Sequence, residues 1–243
     1  MIRSIRRGPR LAAALALGCP AAACARPLPD WAVTETSKPM SALNEALAGT
    51  APPVARGVTS DRIRRARSEP HNWLTYYGAY DGQRYSALDQ IDAGNVRSLR
   101  PAWTFQFAPI GLVATPATFS FEAAPIVVDG VMFVSGWDGY VWALDATSGR
   151  QLWMYKHEIP LDVPLCCGNV NRGVAVANGK VLFATQNGHV VALDATNGRP
   201  VWQQVFADVR AGESATVAPL VVKNLVIVGS SGAEYGVRGH IDA

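Results

Sequence analysis

The chain has 243 residues, of which 49% are hydrophobic and 17% charged. This balance is typical of a soluble globular protein with one large domain or two small ones. Four of the 22 basic residues lie before residue 11, ahead of all 19 acidic ones, so the rest of the chain carries a formal charge of −1 instead of the +3 of the whole. That charge argues against a nucleic-acid-binding surface.

The N-terminal residues predict an export signal. The four arginines are followed by the apolar run Leu11–Leu17, and Ala23–Ala25 offers small residues for cleavage, so residues 1–25 are predicted to be a signal peptide of a periplasmic protein. The apolar run is too short to span a bilayer, and no transmembrane segment is expected after cleavage. A lipoprotein cleaved before Cys19 or Cys24 is the alternative, although neither has a convincing aliphatic residue three places upstream.

Residues 26–70 are rich in proline, alanine, serine and threonine and are predicted to be a linker. Within them, the arginine-rich stretch from Ser60 to Pro70 predicts a short basic helix with a solvated face. A second short helix is predicted from Asp92 to Leu99. The aromatic residues from His71 onward mark the start of the folded domain, which is predicted over residues 71–243.

Two stretches of this domain repeat each other. Ala143–Trp153 and Ala192–Trp202 share the pattern Ala-Leu-Asp-Ala-Thr-x-Gly-x-x-x-Trp, and Trp103 lies one period earlier, so the tryptophans are 50 and 49 positions apart. Alternating β-branched runs are separated by two-residue hairpin signals, namely Asp129-Gly130, Asp138-Gly139, Asn178-Gly179 and Asn187-Gly188. Four short strands per period are typical of a propeller blade. The sequence therefore predicts an all-β, partial β-propeller of about two and a half blades, with an outer strand of a closing blade at Ala102–Phe107.

The third period departs from the first two. Where these turn tightly between their central strands, the third has an insertion from Gly229 to Gly239 that carries Glu234. A carboxylate on such a loop suits a hard cation such as Ca²⁺, although a solvated loop glutamate fits the same pattern. Glu122 stands just before the first strand of the first period, and the four histidines are scattered without metal-ligand spacing.

The adjacent Cys166 and Cys167 are the only cysteines left once residues 1–25 are removed. Neighbouring Cα atoms lie about 3.8 Å apart, whereas ordinary disulfides need about 4.4–6.8 Å, so a ring between them would be strained. Two free, packed thiols are one interpretation of this pair. An oxidising compartment, where disulfides persist, favours the ring.

Taken together, the signal sequence, Asn72–Thr75, the repeats, Cys166-Cys167 followed by Arg172, and the loop Ser231–Glu234 resemble the pyrroloquinoline quinone (PQQ) dependent alcohol dehydrogenases. The vicinal cysteines with the arginine and the Ser-Gly-Ala-Glu loop are the specific part of the resemblance. It implies an eight-bladed quinoprotein propeller whose axis holds PQQ and Ca²⁺ or a lanthanide ion. This chain would be its N-terminal part.

The resemblance also implies roles for individual residues. A disulfide ring of Cys166 and Cys167 would cover one face of the cofactor. Arg172 would pair with a PQQ carboxylate, which a planar guanidinium suits. Further cofactor contacts would come from Glu122, Thr216, Ser231, Gly232 and Ala233, and Glu234 would be a metal ligand.

The implied reaction is the oxidation of a small alcohol to its aldehyde, with electrons passed to a cytochrome c. The catalytic aspartate and a second metal ligand would lie beyond Ala243, so no catalytic residue is predicted within the chain, and the chain alone is expected to be inactive. The alternative is a non-catalytic propeller scaffold such as an outer-membrane assembly lipoprotein. Such a scaffold has no need of Cys166, Cys167, Arg172 or Glu234.

We predict that Cys166 and Cys167 are bonded to each other in the exported protein, because export favours oxidation and the resemblance places the pair in the cofactor motif. Mass spectrometry of the unreduced peptide should give the mass of the disulfide and no alkylation. Reduction before alkylation is the control and should expose both thiols. Finding both thiols alkylated without reduction would contradict the prediction.

Overall fold

Three antiparallel sheets follow one another in the computed structural model, which describes residues 57–106, 120–160 and 168–243. Within each sheet the strands pair in chain order. Blade 1 contains β1 (Ile126–Val128), β2 (Val131–Ser135), β3 (Tyr140–Asp145) and β4 (Gln151–Lys156); blade 2 contains β5 (Ala175–Ala177), β6 (Lys180–Ala184), β7 (His189–Asp194) and β8 (Pro200–Val205); blade 3 contains β9 (Leu220–Val222), β10 (Leu225–Gly229) and β11 (Ile241–Asp242). This arrangement confirms the all-β class and the partial propeller.

Helices are few and short in the described part of the chain. They are α1 (Ser60–Arg64) and the 3-10 turns Ala66–Ser68, Val96–Ser98, Val209–Ala211 and Ala233–Tyr235. No helix among the described residues is long and apolar enough to cross a membrane. The helix predicted from Asp92 to Leu99 is reduced to the 3-10 turn Val96–Ser98, because residues 92–99 are exposed and so short a helix needs packing to be stable.

The four predicted hairpin signals all lie between paired strands. Asp129, Asp138 and Asn178 have φ values of 49°, 54° and 47°, and the glycine after each is also left-handed. Short polar side chains and glycine tolerate this region, which two-residue hairpins require. The turn chemistry therefore fixes where the strands of blades 1 and 2 reverse.

Blades 1 and 2 are joined by a tryptophan that packs on a glycine turn. Trp153 in β4 is fully buried, and its Nε1 donates to the carbonyl oxygen of Ala195 at 2.9 Å. A Cβ built on Gly198, whose φ is 72°, would lie 2.6 Å from the Trp153 ring. Only glycine allows the ring to approach this closely, so the repeated Gly and Trp form one interaction between neighbouring blades.

Trp103 makes the same contact with blade 1. Its Nε1 donates to the carbonyl oxygen of Ala146 at 3.2 Å, and a Cβ on Gly149 would lie 2.5 Å from its ring. The strand predicted at Ala102–Phe107 is nevertheless wrong for its described part, since residues 102–106 form no strand and Phe107 lies outside the described residues. The contact of Trp103 with Gly149 needs only the indole ring against the turn and does not require residues 102–106 to pair as a strand.

The aspartate of the repeat closes the same turn from within. The Oδ1 atom of Asp145 accepts hydrogen bonds from the amides of Thr147 and Ser148 at 3.0 and 2.9 Å, and from both hydroxyls. The hydroxyl of Thr147, followed by that of Ser148, holds the pKa of Asp145 at about 2. In blade 2 the amide of Thr196 likewise donates to Asp194 Oδ1, at 2.8 Å, so the repeated aspartate closes both turns.

The segment before residue 71 packs against the blades. Val58, Ile63 and Ala66 are buried in the same apolar cluster as the strands of blades 1 and 2. Arg62 donates to Glu69 at 2.7 Å and to Asp129 at 2.6 Å, and its guanidinium lowers the pKa of both carboxyls. The interpretation of this helix as a solvated basic face is therefore wrong for Arg62 and Ile63, because a long arginine stem can cover an apolar surface while its charge is paired.

Residues 58–80 also contact all three blades, through backbone and hydroxyl groups. Trp73 and Val127 in β1 exchange two backbone hydrogen bonds of 2.8 and 3.1 Å. Val58 accepts from the amide of Asn178 in blade 2 at 3.0 Å. The Tyr80 hydroxyl donates to Val221 in blade 3 at 2.7 Å. Residues 58–80 thus join blades 1, 2 and 3 to one another.

We predict that Gly198→Ala destabilises the protein by about 2 kcal/mol or more, measured as the free energy of unfolding in urea. The substitution adds the strain of a left-handed alanine, about 1 kcal/mol, and forces the Trp153 ring away from the turn.

Gly130→Ala is the matched control. Gly130 also has a positive φ, of 83°, but a Cβ there would meet no described atom within 4 Å, so only the backbone strain of about 1 kcal/mol is expected. Equal losses in the two variants would show that the tryptophan contact does not depend on Gly198.

Candidate functional site

The segments that enter the first strand of each blade lie side by side. Ala124 and Gly173 form a parallel bridge, in which the Ala124 amide donates to the Arg172 carbonyl at 3.1 Å. The Arg172 amide in turn donates to the Thr216 carbonyl at 2.9 Å. A Cβ on Gly173 would lie 3.2 Å from the Ala124 oxygen and 3.4 Å from the Ala218 Cβ. The three blade entries therefore converge at Gly173.

Three of the predicted site residues meet at this point. Arg172 Nη2 lies 3.3 Å from Glu122 Oε2, and Arg172 Nη1 donates to the Thr216 hydroxyl. The Arg172 and Glu122 side chains are 47% and 39% exposed, so the cluster is open on one side. We name Glu122, Arg172 and Thr216 the entry cluster. Each member lies shortly before the first strand of a different blade. The three residues meet because these entry segments lie side by side.

The Ser-Gly-Ala-Glu loop is attached to the same region. Ser231 and Ser214 exchange backbone hydrogen bonds of 3.0 and 2.8 Å, and the Ser231 hydroxyl donates to the Ser214 carbonyl at 3.1 Å. A Cβ on Gly232, whose φ is 138°, would lie 2.3 Å from the Gly212 oxygen, so this position requires glycine. Because Ser214 is two residues before Thr216, the loop lies against the chain segment that carries one member of the entry cluster.

Ala233 and Glu234 lie on the 3-10 turn Ala233–Tyr235, with both side chains exposed. The implied roles of Arg172 as a PQQ contact and Glu234 as a metal ligand require the two side chains to face one cavity, and this stays a prediction. Among the described residues, no three His, Cys, Asp or Glu side chains are grouped so that they could hold a metal ion. Cys166 and Cys167 lie outside the described residues, so their predicted role also stays a prediction.

An open groove with a volume of about 560 Å³ runs beside the entry cluster. Tyr76 lies in its wall and against Gly173, where a Cβ would be 3.4 Å from the ring. Burial raises the pKa of Tyr76, and the nearby charge of Arg172 opposes this rise. The wall is mostly aromatic and apolar: Trp73, Tyr76, Tyr77, Arg84, Ala124, Pro125, Val127 and Met132.

Sequence reasoning did not single out Tyr76 or Ser214. Tyr76 belongs to the aromatic opening of the domain, but nothing in its spacing distinguishes it from its neighbours. Ser214 contacts Ser231 through its backbone and through its hydroxyl, 3.2 Å from the Ser231 hydroxyl, but no local sequence pattern links the two residues. Their positions emerge only when the blade entries are placed next to each other.

Blades joined by tryptophan on glycine, with an arginine-centred cluster at their strand entries, define a propeller with a polar site at one end of its blades. The chain belongs to the family described as PQQ: Glucose/ethanol/alcohol dehydrogenase, beta-propeller domain, whose model matches residues 73–240.

Named relatives agree with this membership. The chain is 38% identical to a quinoprotein ethanol dehydrogenase of Pseudomonas aeruginosa over 82% of its length and 32% of that protein. It is 40% identical to a lanthanide-dependent methanol dehydrogenase of Methylacidiphilum fumariolicum over 76% of its length and 30% of that protein. The chain thus spans less than a third of the length of the relatives it matches.

Solved structures give the same result. A quinohemoprotein alcohol dehydrogenase from Comamonas testosteroni superposes with a TM-score of 0.69 at 38% identity, over 81% of this chain and 28% of that one. A europium-containing methanol dehydrogenase superposes with a TM-score of 0.66 at 40% identity, over 74% of this chain and 31% of that one. These superpositions support the propeller described above.

We predict that Glu122→Gln changes the free energy of unfolding by less than about 1 kcal/mol, because its ion pair with Arg172 is largely exposed. Glu69→Gln is the matched control, since Glu69 is 26% exposed and binds Arg62 and Asn72. It should cost about 1–3 kcal/mol. Urea unfolding of both variants decides the matter, and an equal loss would mean that the entry cluster is a structural ion pair.

Proposed function

We propose that the entry cluster binds the carboxylate edge of PQQ in an alcohol dehydrogenase. The observation that carries the proposal is the position of Arg172, which is fixed by its own backbone while its guanidinium remains half exposed. Membership of the PQQ family gives the ligand class. The alternative of a non-catalytic scaffold is not favoured by that membership.

The donor set fits such a ligand. A guanidinium binds a carboxylate through two parallel hydrogen bonds, and the open side of Arg172 leaves it accessible. The Thr216 hydroxyl, which accepts from Arg172, can still donate a hydrogen bond, and the Ser231 hydroxyl, which donates to the Ser214 carbonyl, can still accept one. Glu122 balances the charge of Arg172 and accepts from the Ser120 hydroxyl at 2.7 Å, which orients its carboxylate. Cys166 and Cys167 would cover one face of the cofactor.

When bound, PQQ supplies a quinone that accepts the hydride of an alcohol. The residues of this chain would bind and orient its polar edge and exclude water from it. Glu234 would supply one oxygen ligand to Ca²⁺ or a lanthanide ion, and the name of the lanthanide-dependent relative supports the lanthanide. The described residues contain only part of the six to eight ligands that such a cation takes, so no step is assigned to the metal.

The wider activity follows from the same relatives and is part of the proposal. The substrate would be a small alcohol, as the names of the ethanol and methanol dehydrogenases indicate. Electrons would pass to a cytochrome c, and the signal peptide predicted at residues 1–25 would export the protein to the periplasm. Turnover would require an aspartate to accept the hydroxyl proton, which the resemblance places beyond Ala243.

We predict that Arg172→Ala lowers the affinity for PQQ at least about tenfold, because a charge-assisted contact is lost. Titration of the purified protein with PQQ in the presence of Ca²⁺, followed by tryptophan fluorescence, measures the dissociation constant. Arg172→Lys keeps the charge and loses the paired hydrogen bonds. Its affinity for PQQ should therefore lie between those of the unsubstituted protein and Arg172→Ala.

Arg199→Ala is the control for net charge, since Arg199 is exposed on the Asp-Ala-Thr-Asn-Gly turn of blade 2. Its affinity for PQQ should equal that of the unsubstituted protein. Equal losses in Arg172→Ala and Arg199→Ala would indicate a general charge effect and would contradict the proposed site. The absence of any PQQ binding by the unsubstituted protein would contradict the proposed function itself.

A further inference from the structure

The segment Val170–Gly173 is held by hydrogen bonds at every residue. The carbonyl of Val170 accepts from Gln186, and the backbone of Arg172 is bonded on both sides, to Ala124 and to Thr216. The Gly173 amide donates to the Asn171 side chain at 3.0 Å. A loop residue is rarely restrained at so many points unless its position matters.

Asn171 is the centre of these bonds. Its side chain is 3% exposed and makes three hydrogen bonds. The Oδ1 atom accepts from the Ser135 hydroxyl at 2.6 Å and from the Gly173 amide, and Nδ2 donates to the Ala184 carbonyl at 2.7 Å. Ser135 ends β2 of blade 1, and Ala184 ends β6 of blade 2. One amide therefore ties the loop to two adjacent blades.

Gln186 supports the loop from the same side. It is 1% exposed, and its Nε2 donates to the Val170 carbonyl at 2.8 Å. Gln186 thus holds Val170, and the buried side chain of Asn171 holds the next residue. Both residues immediately before Arg172 are therefore fixed. A buried amide that loses its partners is costly, so the loop has few alternative conformations.

From this geometry we infer that Asn171 is a positioning residue, which acts on ligand binding only through the placement of Arg172. Asn171 is buried beneath the loop while Arg172 is exposed above it, so the amide itself is not placed to touch a ligand. Gln186 assists by holding Val170. The inference deepens the proposed function. Its test by PQQ affinity rests on that function, whereas its test by hydrogen exchange does not.

The first test does not involve PQQ. Hydrogen exchange of the Arg172 and Ala124 amides, followed by NMR in the purified protein, reports whether the loop keeps its place. Asn171→Ala should raise exchange at both amides at least about tenfold relative to the amides of β7, because the loss of buried partners releases the loop. Should Asn171→Ala fail to fold, Ser135→Ala removes one of the three bonds and should raise exchange by about threefold.

Thr185→Val is the matched control for lost stability. It removes a buried hydroxyl that donates to Asn187 at 2.7 Å and accepts from the His189 amide at 3.0 Å, in the blade end next to the loop. It should leave the exchange of the Arg172 and Ala124 amides unchanged relative to the β7 amides after His189, since the variant removes an acceptor of the His189 amide itself. Unchanged exchange in both Asn171→Ala and Ser135→Ala, or an equal rise in Thr185→Val, would overturn the inference.

The second test is a double-mutant cycle in PQQ affinity. Asn171→Ala should weaken binding about tenfold when Arg172 is present and less than about twofold in the Arg172→Ala background, because the effect passes through Arg172. Equal losses in both backgrounds would show that Asn171 acts on the whole fold and would overturn the inference. If the unsubstituted protein binds no PQQ, the proposed function fails, and the exchange measurement decides the role of Asn171.

Discussion

The packing of a tryptophan ring on a glycine turn is the contact on which the rest of the molecule depends. An antiparallel sheet of four short strands cannot bury both of its faces by itself and needs a neighbour. Trp153 joins blade 1 to blade 2, because its ring covers Gly198 and its indole nitrogen donates to the nearby carbonyl of Ala195. One residue of each blade therefore makes this contact between blades 1 and 2, and the same pair of residue types recurs at Trp103 and Gly149.

The site is a consequence of that spacing. Once neighbouring blades are held in register, the segments entering β1, β5 and β9 come together, and Gly173 permits the close approach of Ala124 and Ala218. Polar side chains at these entries then meet although they are far apart in the sequence. The strands provide the rigid frame, whereas the chemistry resides in the short segments before them.

The blades could be predicted from the sequence because their determinants are local. Asp129-Gly130 marks a left-handed turn wherever it occurs, and Asp145 closes its turn with residues two and three positions later. The helix expected from Asp92 was too long because residues 92–99 are exposed, and so short a helix has no packing to stabilise it. Arg62 was misjudged because its partner Asp129 is distant in sequence, and no local pattern reveals such a pair.

The site could be predicted only in part, for the same reason. Arg172 and Glu122 were identified by a family motif, but their ion pair depends on the distance between two blades. Asn171 and Gln186 gave no signal, since a polar residue in a loop is usually exposed, and their burial follows from the blade ends above and below them.

The three members of the entry cluster belong to three successive blades, and this makes ligand binding and blade cohesion parts of one equilibrium. A molecule held by Glu122, Arg172 and Thr216 together acts as a non-covalent cross-link, since its binding free energy is available only while the blades remain in contact. Conversely, any loosening between blades reduces the affinity before a single site residue changes. By thermodynamic linkage, a ligand bound across the entry cluster would therefore stabilise the assembled blades, and the assembled blades would strengthen its binding.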